Sequence, residues 1–374
     1  MINVGVHNLQ FFCKNDIQKY QSKKYSRYLN EDCPRRLYKP RQNHELRTTM
    51  HWGQRKLLMT EIEFLTQYSK LGDLVLYVGA APAIHTPILS KLFPTIKFIL
   101  IDPMKFNIRE TENIEIRREY FTNDMAKEFV GQNFLFICDI RISNDQKKNY
   151  KPSENEVKND MLVQQKWVEI MKPRYSILKF RLPWEDKEFL YFDGKIVIQP
   201  WGPQSSTETR LIVKSPFKKK KWNCRMYEEQ MFYFNTFSRC QYYEHDIVTT
   251  GIDNCYDCAT EIFIIQNYLK KFNPDKNNKK YIMKLIHNFS KSITKGKGCL
   301  SGYYYYKYLN DRHHNCLNKR YHLINLLQDL NRYGFKNNKE NFGKYFQKIL
   351  YLLSNKKDEE ELSHIAHICD INSL

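Results

Sequence analysis

"DLVLYVGAAPAIHT", residues 73 to 86, is the stretch that decides the fold. Residues 73 to 79 form an apolar run of strand length that stops at a Gly/Ala-rich turn. Residues 83 to 93, "AIHTPILSKLF", then read as a helix. Strand, small-residue turn and helix together open an α/β unit. In such a unit the helix start offers unpaired N–H groups, and glycine lets backbone approach a ligand closely. Many α/β proteins carry a turn of this kind, so alone it names no ligand.

Similar runs recur outward from it at intervals that suit α/β units. "IKFILID" (96 to 102), "NFLFICD" (133 to 139), "YSILKFRL" (175 to 182), "GKIVIQPW" (194 to 201) and "TRLIVKS" (209 to 215) read as strands. "EVKNDMLVQQKWVEIMK" (156 to 172) reads as a helix. So does "QRKLLMTEIEFLTQYSK" (54 to 70), where Leu57, Leu58, Ile62, Phe64 and Leu65 have amphipathic spacing. The expected fold is an α/β domain built on an open, mostly parallel sheet with helices on its faces. We divide the chain into an irregular N-terminal arm (1 to 50), a sheet domain (51 to 235) and a helix-rich C-terminal extension (236 to 374). The lysine run 218 to 221 is expected in a surface loop.

Composition narrows the partners. The 374 residues are 42% hydrophobic and carry a formal charge of +19, a balance that favours a polyanion, nucleic acid before an acidic membrane surface. A basic surface that binds nothing is the plainer alternative. No stretch is long and apolar enough to span a membrane, and the first residues lack the marks of a secretion leader. Ten scattered cysteines suit a reducing compartment better than a disulfide framework.

Ligands of open α/β sheets sit beyond the carboxyl ends of the strands. There the runs deliver Gly79, then Asp102, 23 residues after it, where a carboxylate can grip the ribose of a nucleoside. They also deliver Asp139 and Lys179. This succession suits an S-adenosylmethionine-dependent methyltransferase. An ordinary ion pair between Asp139 and Lys179 explains those two residues equally well.

A resemblance sharpens the choice. "GQRKLL", "LYVGAAPAIHT", "ILID", "CDIR", "SILKFRLPW", "QPWGPQSSTETRL" and "YEEQMFYFN" follow one another in order. Together they resemble the poxvirus-type cap-specific mRNA (nucleoside-2′-O-)-methyltransferases, which double as small subunits of a viral poly(A) polymerase. The likeness runs from about Tyr38 to Asn235. It implies a Rossmann-like methyltransferase fold, S-adenosylmethionine as cofactor and m7G-capped mRNA as substrate. It also implies a polymerase catalytic chain as possible partner and a viral protein of the host cytoplasm, where packaging in the virion is compatible.

The matching residues receive roles only through this resemblance. Lys56, Asp139, Lys179 and Glu208 become the catalytic tetrad, with Lys179 as the base that takes the 2′-hydroxyl proton. Such a base needs an amine that is neutral part of the time, which burial and neighbouring cations favour and neighbouring carboxylates oppose. The cofactor pattern maps onto Gln54, Tyr77, Gly79, Ala83, Asp102, Met104, Phe121 and Asp139. The cap pattern maps onto Tyr38, Arg181, Trp184, Asp186, Ser206, Thr207 and Glu228. Trp184 and Tyr38 would sandwich the cationic base, and Asp186 and Glu228 would accept from its edge. Two positions depart from the family: Ala83 replaces a glycine, and Met104 stands where a basic residue is usual.

Fainter signals remain. Cys255, Cys258 and "HHNC" (313 to 316) could form a zinc site, but structural thiols explain them better. "YYYY" (303 to 306) could stack bases, though packing is the plainer reading. Lys218 to Lys221 with Arg35, Arg36, Lys39 and Arg41 are candidates for RNA phosphates. The rival function is a non-catalytic RNA-holding subunit of a poly(A) polymerase.

Overall fold

The computed structural model describes residues 26–39, 53–141, 152–202, 206–236, 238–240, 243–247 and 256–293. Eight strands form one sheet: β1 (Tyr28–Leu29), β2 (Leu74–Val78), β3 (Lys97–Ile101), β4 (Ile114–Arg117), β5 (Phe134–Cys138), β6 (Tyr175–Phe180), β8 (Lys195–Val197) and β9 (Thr209–Lys214). A separate antiparallel pair joins β7 (Glu188–Phe192) to β10 (Lys219–Asn223). The helices are α1 (Gly53–Tyr68), α2 (Thr86–Leu92), α3 (Asn123–Glu128), α4 (Glu154–Met171), α5 (Cys224–Thr236), α6 (Tyr256–Phe272) and α7 (Lys279–Ile293).

The sheet order is β1-β8-β9-β6-β5-β2-β3-β4. From β4 to β6 every pairing is parallel, whereas β9, β8 and β1 add antiparallel partners. The strand order reverses between β2 and β5. A crevice opens beyond their carboxyl ends, the usual ligand position in such sheets. The all-apolar runs on the central strands follow from burial on both faces. Leu58, Leu65, Tyr77, Phe98, Ile177 and Ile212 belong to the core layer that α1, α2, α6 and α7 cover. Phe136, Leu178, Phe180 and Leu211 belong to the opposite layer, closed by α3, α4 and α5. The expected open, mostly parallel sheet with helices on both faces is thus present.

Several local readings need correction. The lysine run is only partly a loop: Lys218 precedes β10, while Lys219 to Lys221 enter it, Lys219 and Lys221 facing outward and Lys220 lying 3.8 Å over the ring of the buried Trp222. Lys219, Lys220 and Lys221 each lie within ion-pairing distance of an acid, at 2.6 Å from Glu169, 3.0 Å from Glu31 and 3.8 Å from Glu188. Strand β4 carries no sustained apolar run, whereas β7 does, in "FLYF" (189 to 192), and its place in the separate pair is an addition to the expected strands. Within the expected arm, Tyr28–Leu29 complete the sheet edge against β8.

Helix α1 has no fully solvated face. Arg55, Lys56, Glu61 and Glu63 are buried, and each finds a partner. Arg55 meets Glu261 at 2.5 Å, Arg27 meets Glu63 at 2.7 Å, and Glu61 contacts His85 and Tyr77, each at 2.8 Å. Residues 26 to 29 and helix α6 therefore hold α1 in place through buried charge pairs. Among the described residues, no helix is long and apolar enough to cross a membrane, and no group of His, Cys, Asp and Glu could hold a metal ion. Cys258 is buried in α6, while Cys255, 303 to 306, 313 to 316 and Arg41 lie outside the described residues.

Candidate active site

Four elements converge at the crevice. Lys56 comes from the first turn of α1, Asp139 follows β5, Lys179 lies near the end of β6, and Glu208 immediately precedes β9. Because β9 runs antiparallel to β6, its beginning reaches the end of the sheet where β5 and β6 finish. Lys56 Nζ donates to Glu208 Oε1 at 2.7 Å. Lys179 Nζ lies 2.9 Å from Asp139 Oδ1 and 3.8 Å from Glu208 Oε2. The simple Asp139–Lys179 ion pair is thus real, but it belongs to a larger cluster.

Sequence reading assigned no role to the hub of that cluster. Arg210 is buried and donates to Asp139 Oδ1 at 2.7 Å and to Glu208 Oε1 at 3.2 Å. Arg141, half-exposed, donates to Glu208 Oε2 at 3.0 Å. Four cations thus face two carboxylates. The strand alternation signalled Arg210, since residues 208 and 210 must share a face.

The surroundings set the charges. Burial drives Lys56 below the ordinary lysine range, and the Glu208 carboxylate only partly opposes it. Burial alone would raise the carboxyls, but nearby cations overcome it. Arg210 and Lys179 hold Asp139 below its usual value, and Lys56, Lys179 and Arg210 hold Glu208 well below. Both acids are therefore ionised at neutral pH.

On the cofactor side, Gly79 sits at φ 79° with its backbone against Asp139. A Cβ at Gly79 would lie 2.6 Å from the Asp139 carbonyl carbon, so only glycine fits. Ala83 occupies the same left-handed region at φ 57°, which explains a preference for glycine there. Asp102 accepts from the Ala81 N–H at 3.1 Å and the Met104 N–H at 2.8 Å, fixing the carboxylate at the crevice rim. Met104 is exposed and Gln54 partly so. Gln54 Oε1 lies 2.8 Å from His85 Nδ1. Tyr77 and Ala83 are fully buried, the Tyr77 hydroxyl donating to Glu61, and Phe121 packs edge-on against Trp167. Gln54, Tyr77, Ala83, Asp102 and Met104 gather about the turn, whereas Phe121 packs in the opposite core layer. A glycine turn and an oriented carboxylate at the end of β3 fit a nucleoside.

On the other side, Tyr38 and Trp184 lie with ring centroids 5.8 Å apart at 35°. The Arg181 guanidinium stacks 4.1 Å from the Trp184 ring centre, and Glu154 joins both by pairing with Arg181 and accepting the Trp184 N–H. Asp186 pairs with Lys158 at 2.9 Å. The Trp184 indole N–H points to Thr207 Oγ1 at 3.4 Å, and Ser206 Oγ accepts the Glu208 N–H at 3.1 Å. Burial and the neighbouring Glu229 raise the Glu228 carboxyl. A flat ring between Tyr38 and Trp184 needs a separation of about 7 Å, twice a carbon–carbon contact. Entry of a base therefore requires one ring to swing outward.

Fold and site define the class: an open α/β domain with a nucleoside-type turn, a buried Lys/Asp/Lys/Glu cluster and an aromatic pocket beside it. Residues 21–295 match the poly(A) polymerase regulatory subunit family, and the chain belongs to that family. It is 29% identical over 212 residues to the cap-specific mRNA (nucleoside-2′-O-)-methyltransferase of Myxoma virus (strain Lausanne), covering 50% of this chain and 62% of that protein. It is 28% identical over 218 residues to the protein of the same description from Fowlpox virus (strain NVSL), covering 49% and 67%. The match to the Myxoma relative thus spans about three fifths of that relative's length. Among solved structures, bluetongue virus VP4, described as a multifunctional RNA-capping production line, aligns at 14% identity with a TM-score of 0.38, covering 56% of this chain and 35% of VP4. Human methyltransferase-like protein 13, solved with SAH, aligns at 12% identity and a TM-score of 0.26, covering 48% and 88%.

Proposed function

We propose that the chain transfers a methyl group from S-adenosylmethionine to the ribose 2′-oxygen of the first transcribed nucleotide of m7G-capped mRNA. The observation that carries this reading is the convergence of Lys56, Asp139, Lys179 and Glu208 between the Gly79–Asp102 turn and the Tyr38–Trp184 pocket. The bound sulfonium supplies the methyl group. Lys179 takes the 2′-hydroxyl proton as that oxygen attacks the methyl group that S-adenosylmethionine, held by the Gly79 turn and Asp102, would supply. Asp139 and Glu208 aim the Lys179 amine. Lys56, Arg210 and Arg141 balance the charge of those two carboxylates. Tyr38 and Trp184 hold the cationic cap base between their rings, and Asp186, released from Lys158, and Glu228 accept from its edge.

The test is methyl transfer to m7G-capped, unmethylated-cap and uncapped short RNA, with the product digested to locate 2′-O-methyl. Lys179→Ala should abolish transfer and keep cap binding. A chain that binds neither S-adenosylhomocysteine nor the cap would sink the reading.

Membership in the regulatory subunit family favours a second, compatible role: holding transcripts for a poly(A) polymerase catalytic chain in the cytoplasm of a virus-infected cell. Longer tails from that chain in the presence of this one, and unchanged by Lys179→Ala, would support it.

A further inference from the structure

Strand β6 outlasts its parallel neighbour. The last β5–β6 pair is Cys138↔Leu178, and the Asp139 N–H donates to Val78 O on β2 at 2.9 Å. Lys179 is the next rung. On its other side it faces Arg210 of β9, but towards β5 the ladder has ended. A backbone N–H and C=O left open beside a crevice would let this end of the strand move.

Gln164 of α4 fills the gap. Its side chain is 1% exposed and makes two bonds to one residue: Oε1 accepts the Lys179 N–H at 3.1 Å, and Nε2 donates to the Lys179 C=O at 3.2 Å. The amide thus stands in for a strand partner at the rung that bears the reacting lysine. Helix α4 holds Gln164 through Met161, Trp167 and Val168, all buried in the core under β5 and β6. The clamp therefore references the Lys179 backbone to the rigid part of the molecule, leaving only its side chain to be aimed by Asp139 and Glu208.

We propose that Gln164 is a positioning residue for methyl transfer, acting through the backbone of Lys179. This rests on the methyltransferase reading above. Its chemistry makes it testable, because only a group that both accepts and donates can serve. Methionine has nearly the same length but neither function. Glutamate accepts the N–H when ionised, and its charge then opposes the carbonyl; once protonated it can donate as well. A buried carboxyl takes up its proton at a higher pH than an exposed one, so the protonated form is within reach.

The experiment compares wild type, Gln164→Met and Gln164→Glu on capped RNA, with amide exchange of the segment 176 to 182 as a second readout. Gln164→Met should lower kcat on the order of 10- to 100-fold, as displacements of about 1 Å do, with KM for capped RNA kept within about twofold. The Gln164→Glu rate, divided by the wild-type rate at each pH, should rise as pH falls, whereas the Gln164→Met ratio stays flat. The Lys179 amide should exchange at least about tenfold faster in Gln164→Met. Wild-type kcat in Gln164→Met, a flat Gln164→Glu ratio, or unchanged exchange would each overturn the assignment. A wild-type chain without methyl transfer removes the underlying reading and the catalytic role with it. An active wild type with an equally active Gln164→Met removes the clamp alone.

Discussion

Replacing Glu208 by glutamine keeps the side-chain volume and removes one of two anions in the cluster. Lys56 loses its 2.7 Å ion pair, Arg210 its 3.2 Å one and Arg141 its 3.0 Å one. Asp139 alone then faces Lys56, Lys179 and Arg210. Breaking a buried pair costs about 3–5 kcal/mol when the stranded charge has no escape. Lys56 has one, because it can release its proton. At pH 7 that release costs about 1.4 kcal/mol for each unit by which its pKa exceeds 7. Burial has already brought that value below 10.5, so the ceiling lies under about 5 kcal/mol. The expected loss is about 2–4 kcal/mol at neutral pH.

The pH dependence has a definite sign. Without Glu208, Lys56 titrates lower than in the wild type. Between the two values the folded wild type holds a proton that the folded variant has released. Stability of the variant therefore climbs relative to wild type as pH rises, by up to about 1.4 kcal/mol per pH unit. In acid the wild type loses what Glu208 contributes. That contribution is fully present above the ordinary carboxylate value near 4.5 and disappears as pH falls through the depressed folded-state value. The deficit should peak near neutrality and shrink on both sides. Urea unfolding followed by tryptophan fluorescence, in acid, at neutrality and near pH 9, measures it. A neutral deficit under about 1 kcal/mol, or one that grows with alkalinity, would refute the account of how this cluster is balanced.

Three further outcomes are expected. Gly79→Ala forces a methyl group against the Asp139 backbone at positive φ, so it should destabilise by about 2–4 kcal/mol in chemical denaturation and abolish cofactor binding. Trp184→Ala should weaken the preference for the methylated over the unmethylated cap by about 2- to 30-fold in equilibrium binding, the range of a cation–π contact. Cap affinity should fall as pH is lowered through the Glu228 carboxyl's raised value, above the ordinary 4.5, and titrations of Glu228→Gln should lack that step.

Much of this architecture is legible in the chain itself. Central strands such as "LVLYV" and "FLFIC" are apolar throughout because both faces are covered, and such runs stand out. Strand β4, "IEIR", and strand β10, "KKKWN", do not, because their order comes from one neighbour rather than from burial on both sides. The Lys/Asp/Lys/Glu set was accessible through motif order. Arg210 was accessible in principle through its alternation with Glu208. Gln164 was not: an amide bonding to backbone leaves no mark of residue type on its partner. Nor was the His85–Glu61 contact, which joins residues 24 apart with the end of α1 and all of β2 between them.

The antiparallel entry of β9 makes the charge balance a matter of registration. Glu208 and Arg210 turn towards the lysines, while Thr209 between them turns to the opposite layer and meets the Tyr227 hydroxyl at 2.9 Å. A slide of one residue along β6 would drive an acid and a guanidinium in among aromatic rings and present a threonine to the substrate. Leu211, Ile212 and Val213 could tolerate that slide far better than their charged neighbours could. The polar end thus pins an otherwise permissive ladder, and deleting a single residue from the approach to β9 would disable the protein as surely as removing a lysine.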